Sequence, residues 1–309
     1  MEGGPTVSVV IPTYNRADVI GGAIDSVLNQ NFNDFELLIV DDGSTDHTQT
    51  VVDDYSDPRL RYIVHQQNMG VSETRNSGIM AADGDYIAFL DSDDRWKPRK
   101  LQRQIAALER KSEEWIAAYC GFSYNKQSPM QRLKYYVFDH LFHTSSKKSG
   151  GADLIREILM LNLRIGPGST LIVKRNAITE VDGFDHQLDI HEDWDLIIRL
   201  LRYGKLEYVE EDLVVIHESN DPSPIDMRDA KQQFLSKHSG AIAELEDKNH
   251  DVTNLHQFHL GGCYIREGEF TNGHHYIDPS MIRKPKHFLQ LIYWMFIGVK
   301  MRFSDYMDF

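Results

Sequence analysis

Short apolar runs alternate with helical patterns over the first hundred residues. Four mainly apolar runs, at residues 7–11, 36–40, 60–64 and 86–90, have the length and composition of strands. The first is expected to be buried and to end at Pro12. Apolar residues recur at helical spacing in the segments between them, and another helical stripe follows Pro98. Strands that alternate with helices in this way predict an α/β fold, in which helices cover both faces of a parallel sheet.

Polar loops follow three of the four predicted strands. They are Pro12-Thr13-Tyr14-Asn15, Asp41-Asp42 and Asp91-Ser92-Asp93. Ligands of open α/β sheets bind beyond the carboxyl ends of the strands. We therefore expect these loops, which are far apart in sequence, to meet at one edge of the sheet and to form a binding site there.

Asp91 and Asp93 are candidate ligands of a metal ion. In an extended segment, residues two apart point the same way, so both carboxylates would face one point. Two converging carboxylates repel each other unless a cation lies between them, and Mg²⁺ or Mn²⁺ prefers oxygen ligands. This favours a metal that bridges the protein to a diphosphate. The alternative is an aspartate-rich capping turn, which is the commoner explanation for an isolated pair of this kind.

A second acidic segment, residues 189–195, precedes an apolar helical run. Carboxylates are favoured at a helix N-terminus by the helix dipole, so simple capping explains one or two of these acids. It explains less well why Trp194 interrupts the polar run. A carboxylate held at the mouth of the same cleft would also serve as a general base toward a substrate hydroxyl.

Composition narrows the class of protein. The 309 residues carry 33 Lys and Arg against 47 Asp and Glu, a net charge of −14, so a nucleic-acid partner is not expected. Two cysteines without a CxxC pair indicate no disulfide framework. The N-terminus lacks a signal-peptide pattern. The near-apolar segment 288–299 is too short to span a bilayer. We expect a cytoplasmic protein of about two domains.

Four segments in order resemble a known family. They are VSVVIPTYNR, LLIVDDGSTD, NMGVSETRNSGIMAADGDYIAFLDSDD and GFDHQLDIHEDWDLIIRLLRYG. Together they resemble a family 2 glycosyltransferase of the GT-A fold over about residues 7–217. The resemblance implies a Rossmann-like, mostly parallel sheet flanked by helices, with a C-terminal helical extension. It also implies inverting transfer of a single sugar from a nucleotide-diphosphate sugar, with a UDP-sugar favoured, to a hydroxyl of a glycan or lipid-linked acceptor.

The resemblance also implies roles for residues that hold the donor. Pro12, Thr13 and Tyr14 match the loop that holds the nucleoside. Asp42 matches the acidic residue that reads the base, and Arg75 matches a basic residue near the donor. Residues 166–169 resemble the small-residue loop that shapes the cleft.

The remaining implied roles concern the metal and the reaction. Asp91, Ser92 and Asp93 match the motif that binds Mn²⁺ or Mg²⁺, with Asp93 as the favoured direct ligand. His217 lies where many such enzymes place a third contact to the metal or diphosphate. Glu192 and Asp193 match the catalytic pair, with Asp193 as the base.

Two other functions stay open at this point. One is a non-catalytic protein that binds nucleotide sugars, which an intact Asp91 to Asp93 motif with Glu192-Asp193 disfavours. The other is a sugar-phosphate nucleotidyltransferase, whose glycine-rich basic loop is not present in PTYNRADVIGG. The QxxRW motif of processive polysaccharide synthases is also absent, which favours transfer of one sugar per encounter.

The C-terminal third predicts a helical region. We place the catalytic domain at residues 1–219 and the helical region at 220–309, beginning with a proline-containing linker at 220–224. Helices are predicted at 228–246 and 256–267, with a break at 268–273. Residues 288–299 lie between cations in the range 284–302. Their short length favours a packed amphipathic helix, and a peripheral contact with the inner membrane face is the alternative.

Overall fold

The predicted alternation of strands and helices is present in the structure. It is a computed structural model that describes residues 4–125, 148–163, 168–188, 190–217 and 222–307. The described residues form two units. The first contains 4–125, 148–155, 168–188 and 190–217, and the second contains 156–163 and 222–307. The functional division placed between residues 219 and 220 stays a prediction, since the separation of two units does not assign a role to either.

The described strands form one sheet in the first unit. They are Val7–Thr13 (β1), Phe35–Asp41 (β2), Leu60–Val64 (β3), Tyr86–Phe89 (β4), Arg95–Trp96 (β5), Trp115–Tyr124 (β6), Ile172–Lys174 (β7) and Lys205–Ile216 (β8). Their order is β3-β2-β1-β4-β7-β6-β8-β5. Strands β3, β2, β1 and β4 are parallel to one another, as are β6 and β8. Strand β7 is antiparallel to β4 and β6, and β5 is antiparallel to β8. The predicted α/β class with a mostly parallel sheet is confirmed.

The helices of the described residues cover this sheet and build the second unit. They are Ile20–Leu28 (α1), Thr48–Asp53 (α2), Val71–Ala81 (α3), Lys100–Glu109 (α4), Asp153–Leu159 (α5), Arg175–Glu180 (α6), Glu192–Tyr203 (α7), Pro224–Lys237 (α8), Ser239–Glu246 (α9), Val252–Arg266 (α10), Phe270–His274 (α11) and Pro285–Met307 (α12). None of these helices combines the length and the hydropathy needed to cross a bilayer.

Strand β1 lies between β2 and β4 and is buried along its whole length. The strand continues through Pro12 to Thr13, so the expectation that Pro12 ends it is wrong. Pairing with β4 stops at Val10, whereas pairing with β2 continues to Thr13. Alternation along the strand turns the nitrogen of Pro12 toward β4. The ladder on that side ends at the bond from the N–H of Leu90 to the carbonyl of Val10, because a proline has no N–H to continue it.

The C-terminal unit departs from the predicted helix boundaries. The helix predicted at 228–246 is two helices that meet at His238, and the predicted break at 268–273 contains the short helix α11. The predicted linker contributes Pro224 as the first residue of α8, where its missing N–H costs nothing and Ser223 caps the helix. Residues 218–221 lie outside the described residues.

Glycine 78 lets helix α3 lie close to β1. A Cβ atom built at this position would meet Cγ1 of Val10 at 2.3 Å and Cγ2 at 2.9 Å. Since α3 also carries Arg75, the close approach of helix and strand places that side chain at the carboxyl edge of the sheet.

We expect Gly78→Ala to destabilise the protein. In an open helix the change would stabilise by about 1 kcal/mol, but overpacking against Val10 costs about 1–3 kcal/mol. The urea midpoint should therefore fall by the equivalent of about 1 kcal/mol. Met80→Ala is the matched control on the same helix, because Met80 is 87% exposed and its loss should change stability by less than about 0.5 kcal/mol. A midpoint that rises for Gly78→Ala would contradict the packing argument.

Candidate active site

The loops that follow β1 and β2 are joined at the carboxyl edge of the sheet. The backbone N–H of Asn15 donates to Oγ of Ser44 at 2.8 Å, and its side-chain Oδ1 accepts from the N–H of Thr45 at 2.8 Å. Asn15 adopts φ 51°, a left-handed conformation that asparagine tolerates better than most residues. The N–H of Asp42 donates to the carbonyl of Thr13 at 2.9 Å. Two of the predicted loops therefore meet as expected.

Within this pair of loops, Thr13 has a buried hydroxyl oxygen, Oγ1, without a hydrogen-bond partner among the described residues. A buried polar atom of this kind costs free energy unless a ligand supplies the missing bond. Tyr14, the next residue, is 44% exposed, while Pro12 is enclosed in the strand. The loop therefore offers a polar atom and an accessible aromatic ring to a bound molecule.

The carboxylate of Asp42 is buried and holds the turn that precedes α3. Its Oδ1 accepts from the N–H of Met69 and lies 2.8 Å from Nδ1 of His65, and its Oδ2 accepts from the N–H of Gly70. A carboxylate has about four acceptor positions. With three occupied in the described part of the chain, one stays available to a ligand.

His65 is a residue that sequence reasoning missed. It matches no motif, yet its ring joins Asp42 on one side and Oγ of Ser77 at 2.9 Å on the other. Its position directly after β3 is the one signal that would have placed it at the carboxyl edge of the sheet.

Arg75 connects two acidic segments through a buried guanidinium group. Nη2 donates to Oδ1 of Asp91 at 2.8 Å, and Nη1 donates to Oε1 of Glu192 at 2.7 Å. Only 5% of the arginine side chain is exposed, and its Cζ lies 5.1 Å from the centre of the Phe184 ring. Burial alone would lower the pKa of Arg75, but the charges of Asp91 and Glu192 raise it overall, so the group stays charged.

The segment 91–94 is a turn, which corrects one premise of the sequence analysis. The N–H of Asp94 donates to the carbonyl of Asp91 at 3.0 Å, so the segment is not extended and residues two apart need not point the same way. Asp91 faces Arg75, whereas Asp93 is half-buried and accepts no hydrogen bond from the described residues. Ser92 is buried between them. Asp93 therefore keeps both oxygens available for a ligand.

Asp94 is the second residue that the sequence analysis missed. Its carboxylate is buried, and it accepts from Oγ of Ser169 at 2.6 Å and from the N–H of His217 at 2.9 Å. Ser169 in turn accepts from the N–H of Asp91 at 3.0 Å. Burial, followed by the charge of Asp91, raises the pKa of Asp94 to about 7. Asp94, the last residue of the Asp-Ser-Asp-Asp run, therefore connects the turn to the residue that follows β8.

His217 is fixed at this position by its backbone rather than by its ring. Nδ1 of the ring lies 3.4 Å from Nδ2 of Asn125. In the described ranges, no three His, Cys, Asp or Glu side chains converge as a ready set of metal ligands. The predicted grouping of Asp91, Asp93 and His217 around a metal stays a prediction.

The donor set nevertheless fits a hard divalent cation. Asp91, Asp93 and Asp94 concentrate carboxylate oxygens in one turn, and burial together with the charges of Asp91 and Asp93 raises the pKa of Asp94. Mg²⁺ and Mn²⁺ suit oxygen ligands, and Mg²⁺ commonly uses one or two carboxylates together with substrate phosphates. A full cage of protein ligands is therefore not required.

Asp193 lies in the first turn of α7, beside Glu192. Its Oδ1 accepts from the N–H of Trp194 at 2.8 Å. Burial and the charge of Glu192 raise its pKa to about 7, and the charge of Arg75 acts in the opposite direction. His191 precedes the helix in a left-handed conformation, and its ring stacks on Trp194 at 4.5 Å. A carboxylate with this pKa is suited to accept a proton near neutral pH.

The predicted site residues thus form two linked groups in the described residues. One group lies where the ends of β1 and β2 are joined and consists of Pro12 and Thr13 at the end of β1, Tyr14 directly after it, and Asp42 directly after β2. The residues of the second group are connected by hydrogen bonds and ion pairs or are neighbours in the chain. They are Arg75, Asp91, Ser92, Asp93, Glu192, Asp193 and His217. Asp189 and residues 166 and 167 of the predicted small-residue loop lie outside the described residues.

Comparison with known proteins places the chain in a family. A family model described as glycosyl transferase family 2 matches residues 8–178. The chain belongs to this family.

Two curated relatives illustrate the range of similarity. An uncharacterized glycosyltransferase of Rickettsia typhi is 30% identical over 210 residues, which cover 68% of this chain and 63% of the relative. The UDP-Glc:alpha-D-GlcNAc-diphosphoundecaprenol beta-1,3-glucosyltransferase WfgD of Escherichia coli is 40% identical over 102 residues, 33% of this chain and 40% of the relative. The chain thus spans less than two thirds of the length of either relative.

Solved structures share the fold at low identity. TarS 1–349 of S. aureus in complex with UDP-GlcNAc has a TM-score of 0.58 at 19% identity, covering 94% of this chain and 80% of that one. The mannosyltransferase PcManGT of Pyrobaculum calidifontis in complex with GDP-Man and Mn²⁺ has a TM-score of 0.59 at 17% identity, covering 98% and 88%. The expected GT-A fold is confirmed.

We expect Arg75→Gln to destabilise the protein by about 3–5 kcal/mol, because it leaves Asp91 and Glu192 buried without their cation. Urea unfolding measures the change. Arg59→Gln is the matched control, since Arg59 pairs with Asp57 nearer the surface and its loss should cost about 1 kcal/mol or less. An equal loss of unfolding free energy in the two variants would contradict the role of Arg75 in holding the two acidic segments together.

Proposed function

We propose that the protein is an inverting glycosyltransferase that moves a single sugar from a nucleotide-diphosphate sugar to an acceptor hydroxyl. The observation that carries the proposal is the buried contact of Arg75 with both Asp91 and Glu192. This contact sets the aspartate turn beside the acidic start of α7. The segment that would stabilise a departing diphosphate and the segment that would accept a proton then lie on either side of Arg75.

The nucleoside of the donor is held by the joined loops after β1 and β2. Thr13 supplies a buried hydroxyl that lacks a partner in the described residues, and Tyr14 supplies an exposed ring. Asp42 has one acceptor position left, which suits an N–H on a base edge; such a contact with a charged acceptor contributes roughly 1.5–3 kcal/mol. The complex of TarS with UDP-GlcNAc supports a UDP-sugar as the favoured donor.

Asp93 and Asp91 would hold Mn²⁺ or Mg²⁺ together with phosphate oxygens of the donor, and His217 is the proposed third contact. Bound there, the cation would stabilise the negative charge of the leaving diphosphate as a Lewis acid. The Mn²⁺ in the PcManGT complex supports a divalent ion in this family fold. Arg75 and Ser169 keep Asp91 in place, and Asp94 keeps the turn attached to β8.

Asp193 acts as the general base. It takes the proton of the acceptor hydroxyl while that oxygen forms a bond to the anomeric carbon. The bond from the anomeric carbon to the diphosphate oxygen breaks on the opposite face, so the configuration inverts. Glu192 supports the base indirectly, since its charge helps to raise the pKa of Asp193 and it anchors Arg75.

The acceptor is a glycan or a lipid-linked sugar. The name of the E. coli relative includes alpha-D-GlcNAc-diphosphoundecaprenol, a lipid-linked sugar, and this supports the lipid-linked alternative.

We expect Asp193→Asn and Asp93→Asn to separate catalysis from donor binding. Asp193→Asn should keep Mn²⁺-dependent binding of UDP while turnover of the donor falls at least about a hundredfold, the low end for losing a general base. Asp93→Asn makes the same chemical change and should lose the Mn²⁺-dependent part of UDP binding. Calorimetry measures binding, and release of nucleoside diphosphate from UDP-, GDP- and dTDP-sugars measures turnover. Near-normal turnover in Asp193→Asn would remove its role as base.

The same assay distinguishes the two other functions. Pyrophosphate-dependent release of a nucleoside triphosphate would support the nucleotidyltransferase. Binding of a nucleotide sugar without transfer or hydrolysis would support the non-catalytic protein.

We expect kcat/KM to fall as the pH drops below about 7. Asp193 must be deprotonated to accept a proton, and its pKa is raised to about 7 in the folded protein. The logarithm of kcat/KM should therefore lose about one unit per pH unit on the acid side. A profile that stays flat from pH 8 to pH 5 would contradict a base with a raised pKa.

A further inference from the structure

Helix α12 exposes a continuous row of large apolar side chains. At about 100° per residue they fill one arc of roughly 120°. We call this the apolar face of α12, and it consists of Phe288, Leu289, Ile292, Met295, Phe296 and Val299. Each is more than two fifths exposed, and Phe296 reaches 71%. Isolated exposed apolar residues are ordinary, but a contiguous patch marks a surface that binds something.

The opposite side of the same helix is packed. Trp294 is 5% exposed and joins a cluster with Phe258 and Met281, and Gln290 and His287 are buried beside it. The predicted packing of segment 288–299 therefore accounts for one side of α12 only. Because the packed side anchors the helix, the apolar face has a defined orientation.

Basic residues lie along both margins of the apolar face. Arg302 falls on one margin of the helical wheel, and Lys286 and Lys300 fall on the other, while Lys284 directly precedes the helix. Residues 279–304 contain no Asp or Glu, although the whole chain carries a net charge of −14. The positive charge is thus concentrated around the one long apolar surface of α12.

We propose that the apolar face of α12 binds the surface of an anionic lipid bilayer. An apolar arc with Phe and Leu, bordered by Lys and Arg, is the pattern of helices that lie in the plane of a membrane interface. The apolar side chains would enter the boundary between headgroups and acyl chains, while the basic margins would contact anionic headgroups, each cation contributing about a fivefold gain in affinity.

A second copy of the chain suits this face less well. In a two-fold symmetric contact through α12, the basic margins of one helix would face those of its partner. Like charges brought together in this way oppose association. An anionic lipid surface offers the complementary charge.

The inference does not depend on sugar transfer. Binding to vesicles needs neither a donor nor an acceptor, so failure of either proposal can be recognised separately. If the acceptor is lipid-linked, the same contact would hold the enzyme at the surface that carries its substrate.

Flotation of the full chain with vesicles tests the proposal. We expect binding to vesicles of phosphatidylcholine with 30% phosphatidylglycerol, at about 0.1 M salt, and weaker binding to pure phosphatidylcholine. The double variant Ile292→Gln and Phe296→Gln should bind at least about tenfold more weakly, because two exposed apolar side chains no longer enter the bilayer. Ile225→Gln is the matched control, since Ile225 is also exposed but lies on α8. This variant should bind the vesicles as well as the wild type does.

A second pair of variants tests the charge. Lys300→Gln with Arg302→Gln should weaken binding to the anionic vesicles roughly 20-fold and should change binding to neutral vesicles little. Lys248→Gln, an exposed lysine outside α12, is its control. Circular dichroism should be the same for all variants, because every replaced side chain is exposed.

Three results would overturn the proposal. One is wild-type protein that does not float with the anionic vesicles. Another is a double variant at Ile292 and Phe296 that binds them as well as the wild type. The third is a wild-type dimer in sedimentation velocity that becomes a monomer in the same double variant, since a second copy of the chain would then bind the apolar face of α12.

Discussion

The buried guanidinium group of Arg75 holds together two segments that are distant in the chain, the aspartate turn at Asp91 and the start of α7 at Glu192. Arg75 reaches the site from α3, takes Asp91 on one side and Glu192 on the other, and has almost no exposure to water. Removing Arg75 would leave two carboxylates, Asp91 and Glu192, without their cation in a region of low polarity. The distance between the aspartate turn and the start of α7 is therefore set by one cation and its two partners.

The same contact explains the electrostatic character of the site. Asp91, Asp93, Asp94, Glu192 and Asp193 bring five carboxyl groups together, and Arg75 is the cation placed between the two acidic segments. Burial and mutual repulsion raise the pKa of Asp94 and of Asp193 to about 7. An excess of negative charge at the aspartate turn suits a divalent cation with a diphosphate, while the raised pKa of Asp193 suits proton transfer.

Much of the fold followed from local patterns, and the errors have local causes. Strands β2 and β3 were predicted within one residue at each end, because their runs are short, apolar and bounded by polar loops. Asp91 and Asp93 were wrongly expected to be extended, since the type of a turn depends on the hydrogen bond between Asp94 and Asp91. His65 and Asp94 were missed because their partners, Asp42, Ser77, Ser169 and the backbone of His217, are distant in sequence.

The sequence by itself determined the class of fold and the family, because apolar periodicity and ordered motifs are properties of neighbouring residues. It also placed the acidic loops at the ends of strands. Tertiary structure decided which charges pair, which carboxylates are buried, and which side of α12 is exposed. Those properties depend on which distant segments come into contact, and an amphipathic pattern alone does not say whether a second apolar face is covered.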